Sequence, residues 1–244
     1  MSTKMRKIGS AALLVLLAGC NSVAVGGASD TDKAGLFPAA DRPVARIVSP
    51  RWSTEEERDG RREFADVMGQ AAIQPGMTVA DIGAGEGYYT IRLADKVGSA
   101  GRVLAEDIFP AVRDALAERV ARERLGNVSV RLGEPANPKL PDNSFDRVLM
   151  VHMYHEIAQP YEFLWRMRPA LRPAGRVVVV DANRPTPNHG TPPALLKCEF
   201  AAVGYRLVSM AEMPSAGGYM AMFAADGLRP EPQAIRPCRL ARSR

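Results

Sequence analysis

Residues 78–87 read Thr-Val-Ala-Asp-Ile-Gly-Ala-Gly-Glu-Gly. The run Thr78–Ile82 is short, mostly apolar and cut off by glycine, which predicts a strand buried on both faces. Glycines follow at 83, 85 and 87, and Tyr89–Val97 then shows helical spacing up to Gly98. Glycine in such a strand-to-helix turn lets the backbone bend sharply and approach a ligand that a Cβ atom would hold off. Many nucleotide-binding chains share a turn of this kind, and spacing separates them. The nicotinamide fingerprint GxGxxG needs glycine at position 88, where this chain has Tyr88. A nicotinamide oxidoreductase therefore fits poorly.

Outward from this loop, strands and helices alternate. Upstream, Ser53 and Glu56 form a capping-box pair, with Phe64, Val67, Met68 and Ala71 on one helical face. Downstream, Arg102–Asp107 reads as a strand, followed by a helix with Pro110 in its first turn and Gly126 at its end. Asn127–Leu132 and Phe145–Met150 are further strands, Tyr161–Leu171 a helix, and Arg176–Asp181 a fifth strand. A proline-rich loop leads to a helix carrying Leu196, Phe200 and Val203, stopped by Gly204. Tyr205–Met213 and Tyr219–Ala224 are strands joined by the short link 215–218. Strands separated by helices run parallel, whereas a short link forces an antiparallel hairpin. The expected fold is α/β.

The run Asp81-Ile-Gly-Ala-Gly-Glu-Gly87 resembles motif I of the class I S-adenosylmethionine-dependent methyltransferases over all seven positions. LPDNSFD before the fourth strand and LRPAGRVVVVD around the fifth are similar to further pieces of that superfamily, with Ala174 where members usually have glycine. The likeness runs from about Trp52 to Ala224. It implies a doubly wound, seven-stranded, mostly parallel sheet of order 3-2-1-4-5-7-6, closed by an antiparallel C-terminal hairpin. It also implies S-adenosylmethionine as cofactor, held by Asp81, Gly83, Ala84, Gly85 and Gly87. Asp107, at the end of the second strand, would accept hydrogen bonds from both ribose hydroxyls, a task suited to a carboxylate's two acceptor oxygens. Glu106 beside it is the alternative, since alternation does not decide a strand end. Ile108 and Pro135 would flank the adenine ring and Glu134 would meet its edge, unless Glu134 is an exposed turn residue.

In the same family the methyl acceptor lies just past the fourth strand, here His152-Met153-Tyr154-His155-Glu156. The YHE run resembles a subset of periplasmic or secreted members with uncharacterised substrates. His155 is the candidate general base, because imidazole titrates near neutrality, and Tyr154 would shape the methyl site. The alternative is that both plug the strand end and cap the next helix. His152, His155 and Glu156 suggest metal ligation, but no further ligand stands at a recognisable spacing, so no metal site is expected. No NPPY-type motif is present, which leaves O-, N- or C-methylation of a small-molecule acceptor.

Residues 1–20 join a basic segment to the apolar run Ala11–Leu17 and end in Leu-Ala-Gly-Cys. This resembles the signal of bacterial lipoproteins and implies cleavage before Cys20, its lipidation, and a membrane attachment through that anchor. Asn21 after the cysteine favours the outer membrane, facing the periplasm. A cytoplasmic enzyme results if the signal reading fails. The expected divisions are signal peptide 1–19, flexible tether 20–51, domain 52–226 and C-terminal tail 227–244. Three of the basic residues lie in the signal, so the formal charge of +5 falls to +2 in the mature chain. That balance, without a basic stripe among aromatics, argues against nucleic acid as partner. Cys198 and Cys238 would pair in an oxidising compartment and stay apart in a reducing one. Because S-adenosylmethionine is made in the cytosol, a second reading is a cell-envelope lipoprotein that keeps the fold as a binding module without turnover.

Overall fold

In the structure, a computed structural model, residues 35–47 and 53–239 are described. They lie within the compact unit Lys33–Arg244. The signal peptide, Cys20 and Trp52 fall outside the described residues.

Seven strands form one sheet: β1 (Thr78–Ile82), β2 (Arg102–Asp107), β3 (Val128–Leu132), β4 (Phe145–Val151), β5 (Leu171–Asp181), β6 (Tyr205–Met213) and β7 (Gly218–Ala225). Their spatial order is β3-β2-β1-β4-β5-β7-β6, as the resemblance implies. β1 pairs in parallel with β2 and with β4, while β7 runs antiparallel to both β5 and β6. The short link 214–217 leaves no length for a crossover, so β6 and β7 can meet only as a hairpin.

Helices cover both faces: α1 (Glu55–Gly60), α2 (Glu63–Gln70), α3 (Tyr88–Val97), α4 (Pro110–Arg122), α5 (Pro160–Met167) and α6 (Pro193–Ala202). The central strands therefore bury both sides, and period-2 alternation sorts their side chains between two cores. Ala80, Ile82, Val148, Met150, Val177 and Val179 face one core together with Leu164, Trp165 and Phe200. Val79, Leu149, Val178 and Val180 face the other, against Val67, Leu93 and Val97.

Three local expectations are corrected. The capping box is Thr54 with Glu57, one residue later than Ser53 with Glu56, and the chain breaks between α1 and α2 at Arg62, whose φ is 61°. α5 stops at Met167 rather than Leu171, because Pro169 lacks the N–H that would continue the helix. β5 then begins at Leu171, and residues 172–175 bulge between the pairs Phe145–Leu171 and Arg147–Arg176. Ala174 sits in that bulge without a positive φ, whereas a Cβ at Gly175 would stand 2.6 Å from the Phe145 carbonyl oxygen.

The divisions at 51 and 226 also shift. Residues 35–47, expected within the tether, pack on the domain: Arg42 Nε donates to Glu199 Oε1 at 2.8 Å, and the Ala45 amide donates to the His155 carbonyl. Phe37 meets Trp165 edge-on, with ring centroids 5.4 Å apart. From the other end, residues 227–239 do not behave as a free tail. Ile235 is buried, the Cys238 amide donates to Tyr161 Oη, and a disulfide joins Cys238 to Cys198 on α6. Apolar and aromatic side chains in both segments supply the burial that holds them down.

Candidate functional site

The strand order reverses beside β1, so the connections after β1 and β4 diverge and leave a crevice at the C-terminal ends of the strands. A cavity of about 580 Å³ occupies it. Its wall includes Asp81, Gly83, Ala84 and Gly85 after β1, then Glu106, Asp107 and Ile108 after β2. Pro135 lines it from the loop after β3, and His152, Met153 and Glu156 from the segment after β4.

The glycine loop turns through positive φ at Gly83 (67°), Gly85 (56°) and Gly87 (91°). Close packing adds to this: a Cβ at Gly87 would lie 2.5 Å from Leu116 Cδ1, and one at Gly83 would crowd Met153 at 3.2 Å. Gly87 itself stands behind the loop, not in the cavity wall. The loop is tied to the strand beside it, since the Gly85 amide donates to Asp107 Oδ2 at 3.1 Å. Asp107 Oδ1 accepts from the Phe109 amide at 3.0 Å. Each oxygen keeps a second lone pair for a ligand.

Three carboxyls, Asp81, Glu106 and Asp107, line the cavity here, and burial acts on the first two. Burial pushes the Asp81 carboxyl up to about 6, against the hydrogen bond from Thr90 and the charge of Arg58. Thr90 Oγ1 donates to it at 2.6 Å. Burial, with the Asp107 charge adding, pushes Glu106 up to about 8, although the Gly83 amide favours its charged form. The neutral form of Glu106 is thus favoured to higher pH than in an ordinary glutamic acid. Its Oε1 is buried without a hydrogen-bond partner, and its side chain lies across Gly133, where a Cβ would collide with it. Asp107 and Glu106 both reach the cavity, so the choice between them is a division of labour between an anchored acceptor and a buried acid.

Glu134 is not in the cavity wall. It sits in an exposed turn, paired with Lys139 at 2.5 Å, so the alternative reading of this residue describes its position. The placement of His155 as base and Tyr154 as methyl-site wall is likewise corrected, because neither lines the cavity. Tyr154 is fully buried, and its hydroxyl donates to Glu199 Oε2 at 2.7 Å. His155 Nδ1 meets Asp181 Oδ1 at 2.9 Å. The cause is local backbone geometry. His152 takes a left-handed φ of 56°, and Tyr154–Glu156 form a 3-10 turn, which sends Tyr154 and His155 inward and His152, Met153 and Glu156 to the cavity.

Sequence reading missed the wall that α1, its cap and the first turn of α3 supply. Thr54, Glu55, Arg58, Tyr88 and Tyr89 line the cavity. Arg58 lies 3.8 Å over the Tyr88 ring and donates to Glu63 at 2.6 Å. Burial alone would raise the Glu63 carboxyl, but contacts with His152 and Arg58 outweigh it and hold the group at about 2. The Tyr89 hydroxyl donates to the same carboxylate at 3.1 Å, and His152 Nε2 stands 3.6 Å from it. α1 is fastened by Arg92 to Glu55 and Asp59, and by Arg119 to Glu55. The capping box was the one sequence signal for this element; nothing in it says that α1 closes a cavity.

Residues 80–179 match the profile of a methyltransferase domain. The chain is similar to an arsenite methyltransferase of Halobacterium salinarum, 33% identical over 120 residues, which are 48% of this chain and 30% of that protein. It is also similar to a demethylmenaquinone methyltransferase of a Geobacillus species, 29% identical over 121 residues, or 50% of this chain and 52% of the relative. The matched region thus spans between about a third and a half of these curated relatives. Among solved structures, a SAM-dependent methyltransferase from Aquifex aeolicus shares the fold at a TM-score of 0.60 and 24% identity, covering 70% of this chain and 97% of that one. Strand order and matched region agree: residues 80–179 are similar to a methyltransferase domain, and the sheet that contains them has the 3-2-1-4-5-7-6 order of the methyltransferase fold.

Proposed function

We propose that the chain transfers a methyl group from S-adenosylmethionine to a small-molecule acceptor. The observation that carries this reading is the cavity wall in which Asp107 is anchored to the glycine loop and keeps acceptor capacity free. The residues suit the cofactor in three ways. The glycine turn, with positive φ at Gly83 and Gly85, brings bare backbone to the cavity wall. Asp107 offers two oxygens to a diol, beside Ile108 and Pro135 as apolar flanks. The buried Glu106 Oε1 lacks a hydrogen-bond partner, which a polar group of a bound ligand would supply.

Bound there, the cofactor supplies an electrophilic methyl group on a positively charged sulfur. The chain's own work is to hold, orient and exclude water. Arg58, stacked on Tyr88 and held by Glu63, supplies positive charge to the wall. His152, in a strained backbone position and facing Glu63, is the imidazole that lines the cavity and is the base we assign in place of His155. A cavity of about 580 Å³ suits a nucleoside-sized cofactor with a small acceptor rather than a polymer. Calorimetry of the purified protein with S-adenosylmethionine and S-adenosylhomocysteine tests the reading; no heat at millimolar ligand would end it.

We place the protein at the periplasmic face of the cell envelope, anchored through Cys20. The Leu-Ala-Gly-Cys run supports this, as does the Cys198–Cys238 disulfide, a bond that persists in oxidising compartments. Fractionation of wild type and Cys20→Ser tests it, since a membrane-bound variant would contradict the anchor.

A further inference from the structure

The turn after β4 and the loop after β5 leave the same end of two paired strands, which brings His155 beside His189 although 33 residues separate them. Their ring centroids are 5.5 Å apart and nearly perpendicular, at 85°. One ligand atom from each of His155, Glu156 and His189 lies within 4.8 Å of the others. Among the described residues this is the one such grouping of His, Cys, Asp and Glu.

Two independent features distinguish this cluster from a chance meeting of polar side chains. The first is the support behind His155. Asp181 is fully buried and bonds His155 Nδ1 at 2.9 Å, while its oxygens also accept from the Ala182 amide at 2.8 Å and Thr191 Oγ1 at 2.7 Å. A carboxylate so fixed holds the proton on Nδ1 and leaves the Nε2 lone pair for a ligand, the second-layer arrangement that orients metal-binding imidazoles. The second is His189. Its Nδ1 is buried without a hydrogen-bond partner, which costs free energy unless something pairs it. The residue also takes a left-handed φ of 55°, in a loop pinned by Thr186 Oγ1 to the Pro43 carbonyl. Strain of this kind persists only where the surroundings enforce it.

We propose that His155, Glu156 and His189 bind one first-row divalent transition ion of the zinc class, with Asp181 as the orienting carboxylate. Two imidazoles and one carboxylate favour Zn²⁺ and its neighbours over Mg²⁺ and Ca²⁺, which prefer oxygen ligands. Zinc at about 2.0–2.1 Å from each ligand draws the three groups inward from their present separation. Three protein ligands leave a coordination position open, and Glu156 lines the cavity, so an acceptor oxygen, nitrogen or sulfur can reach the ion. The site does not depend on the methyltransferase reading.

The test uses tag-free full-length protein in detergent, stripped with chelator and dialysed against Zn²⁺, Co²⁺ or Mg²⁺, with metal measured by mass spectrometry. Roughly one Zn²⁺ per chain is expected, with an intense visible Co²⁺ spectrum and no retained Mg²⁺. His155→Ala and His189→Ala should each abolish stoichiometric binding, and Asp181→Asn should weaken it about 10–100-fold. His189 lies in a loop, so its variant tests the site even if the buried His155 and Asp181 variants misfold. Wild-type protein that retains no zinc, or a folded His189→Ala that retains it as wild type does, overturns the proposal. S-adenosylhomocysteine calorimetry on the same samples reports the cofactor reading separately.

Discussion

Asp107 at the end of β2 accepts the amide of Gly85 at 3.1 Å, so the acid and the glycine loop, 22 residues apart, form one unit. Asp107→Ala removes that tie and the acceptor offered to a ligand. Affinity for S-adenosylhomocysteine should fall about 10–100-fold, the range of a lost charge-assisted hydrogen bond. Calorimetry beside circular dichroism checks this. Unchanged affinity in a folded variant would remove Asp107 from the site.

Stability should depend on pH in two opposite windows. Glu106, raised to about 8, and Asp81, raised to about 6, bind protons more tightly in the folded chain than at their ordinary values of 4.5 and 3.8. Their contribution is full below those ordinary values and is lost as pH rises through 6 and then 8. Glu63, held at about 2, contributes above its ordinary 4.5 and loses that contribution as pH falls toward 2. Urea midpoints measured across pH should decline on the alkaline side. Glu106→Gln should flatten that decline; an unaltered slope would mean that Glu106 does not carry it.

Arg42 and Glu199 form an ion pair with side chains 0% and 1% exposed. Among the described residues, Arg42→Met leaves the buried Glu199 with Tyr154 as its remaining hydrogen-bond partner and should cost about 3–5 kcal/mol. Adding Glu199→Gln should recover part of the loss. A chemical-denaturation change below about 1 kcal/mol would contradict a stabilising role for residues 35–47.

The Cys198–Cys238 bond closes a separation of 40 residues and pins the C-terminal segment to α6. Cys238→Ser should lower stability by about 2–4 kcal/mol. Reductant should lower the wild-type melting temperature and leave that of the variant unmoved. Equal shifts in both would place the effect elsewhere.

Much of the fold was legible because its signals are local. Continuous apolar runs such as Val177–Val180, the glycines at 83, 85 and 87, and the short link before β7 each constrain the backbone within a few residues. The error at α5 was also local, since Pro169 was there to be read as a stop. The site was legible where it coincides with the loop after β1 and the end of β2, and less so elsewhere. Arg58 and Tyr88 meet at the cavity wall, with Glu63 behind them, because Arg92 on α3 and Arg119 on α4 hold α1 in place, and no spacing in the sequence encodes that docking.

The sequence alone determined the spacing that excludes GxGxxG, the acid at 107 and the parallel-then-antiparallel strand pattern. Short-range sterics and hydrophobic periodicity suffice for these. Only the tertiary structure decided which residues of 152–156 face the cavity, because a single left-handed φ at His152 redirects the rest. It also decided that the Glu106 carboxyl holds its proton more tightly than usual beside Asp107, since desolvation exists only once the core closes around both. The meeting of His155 with His189 has the same origin: two strand ends become neighbours only when the sheet assembles.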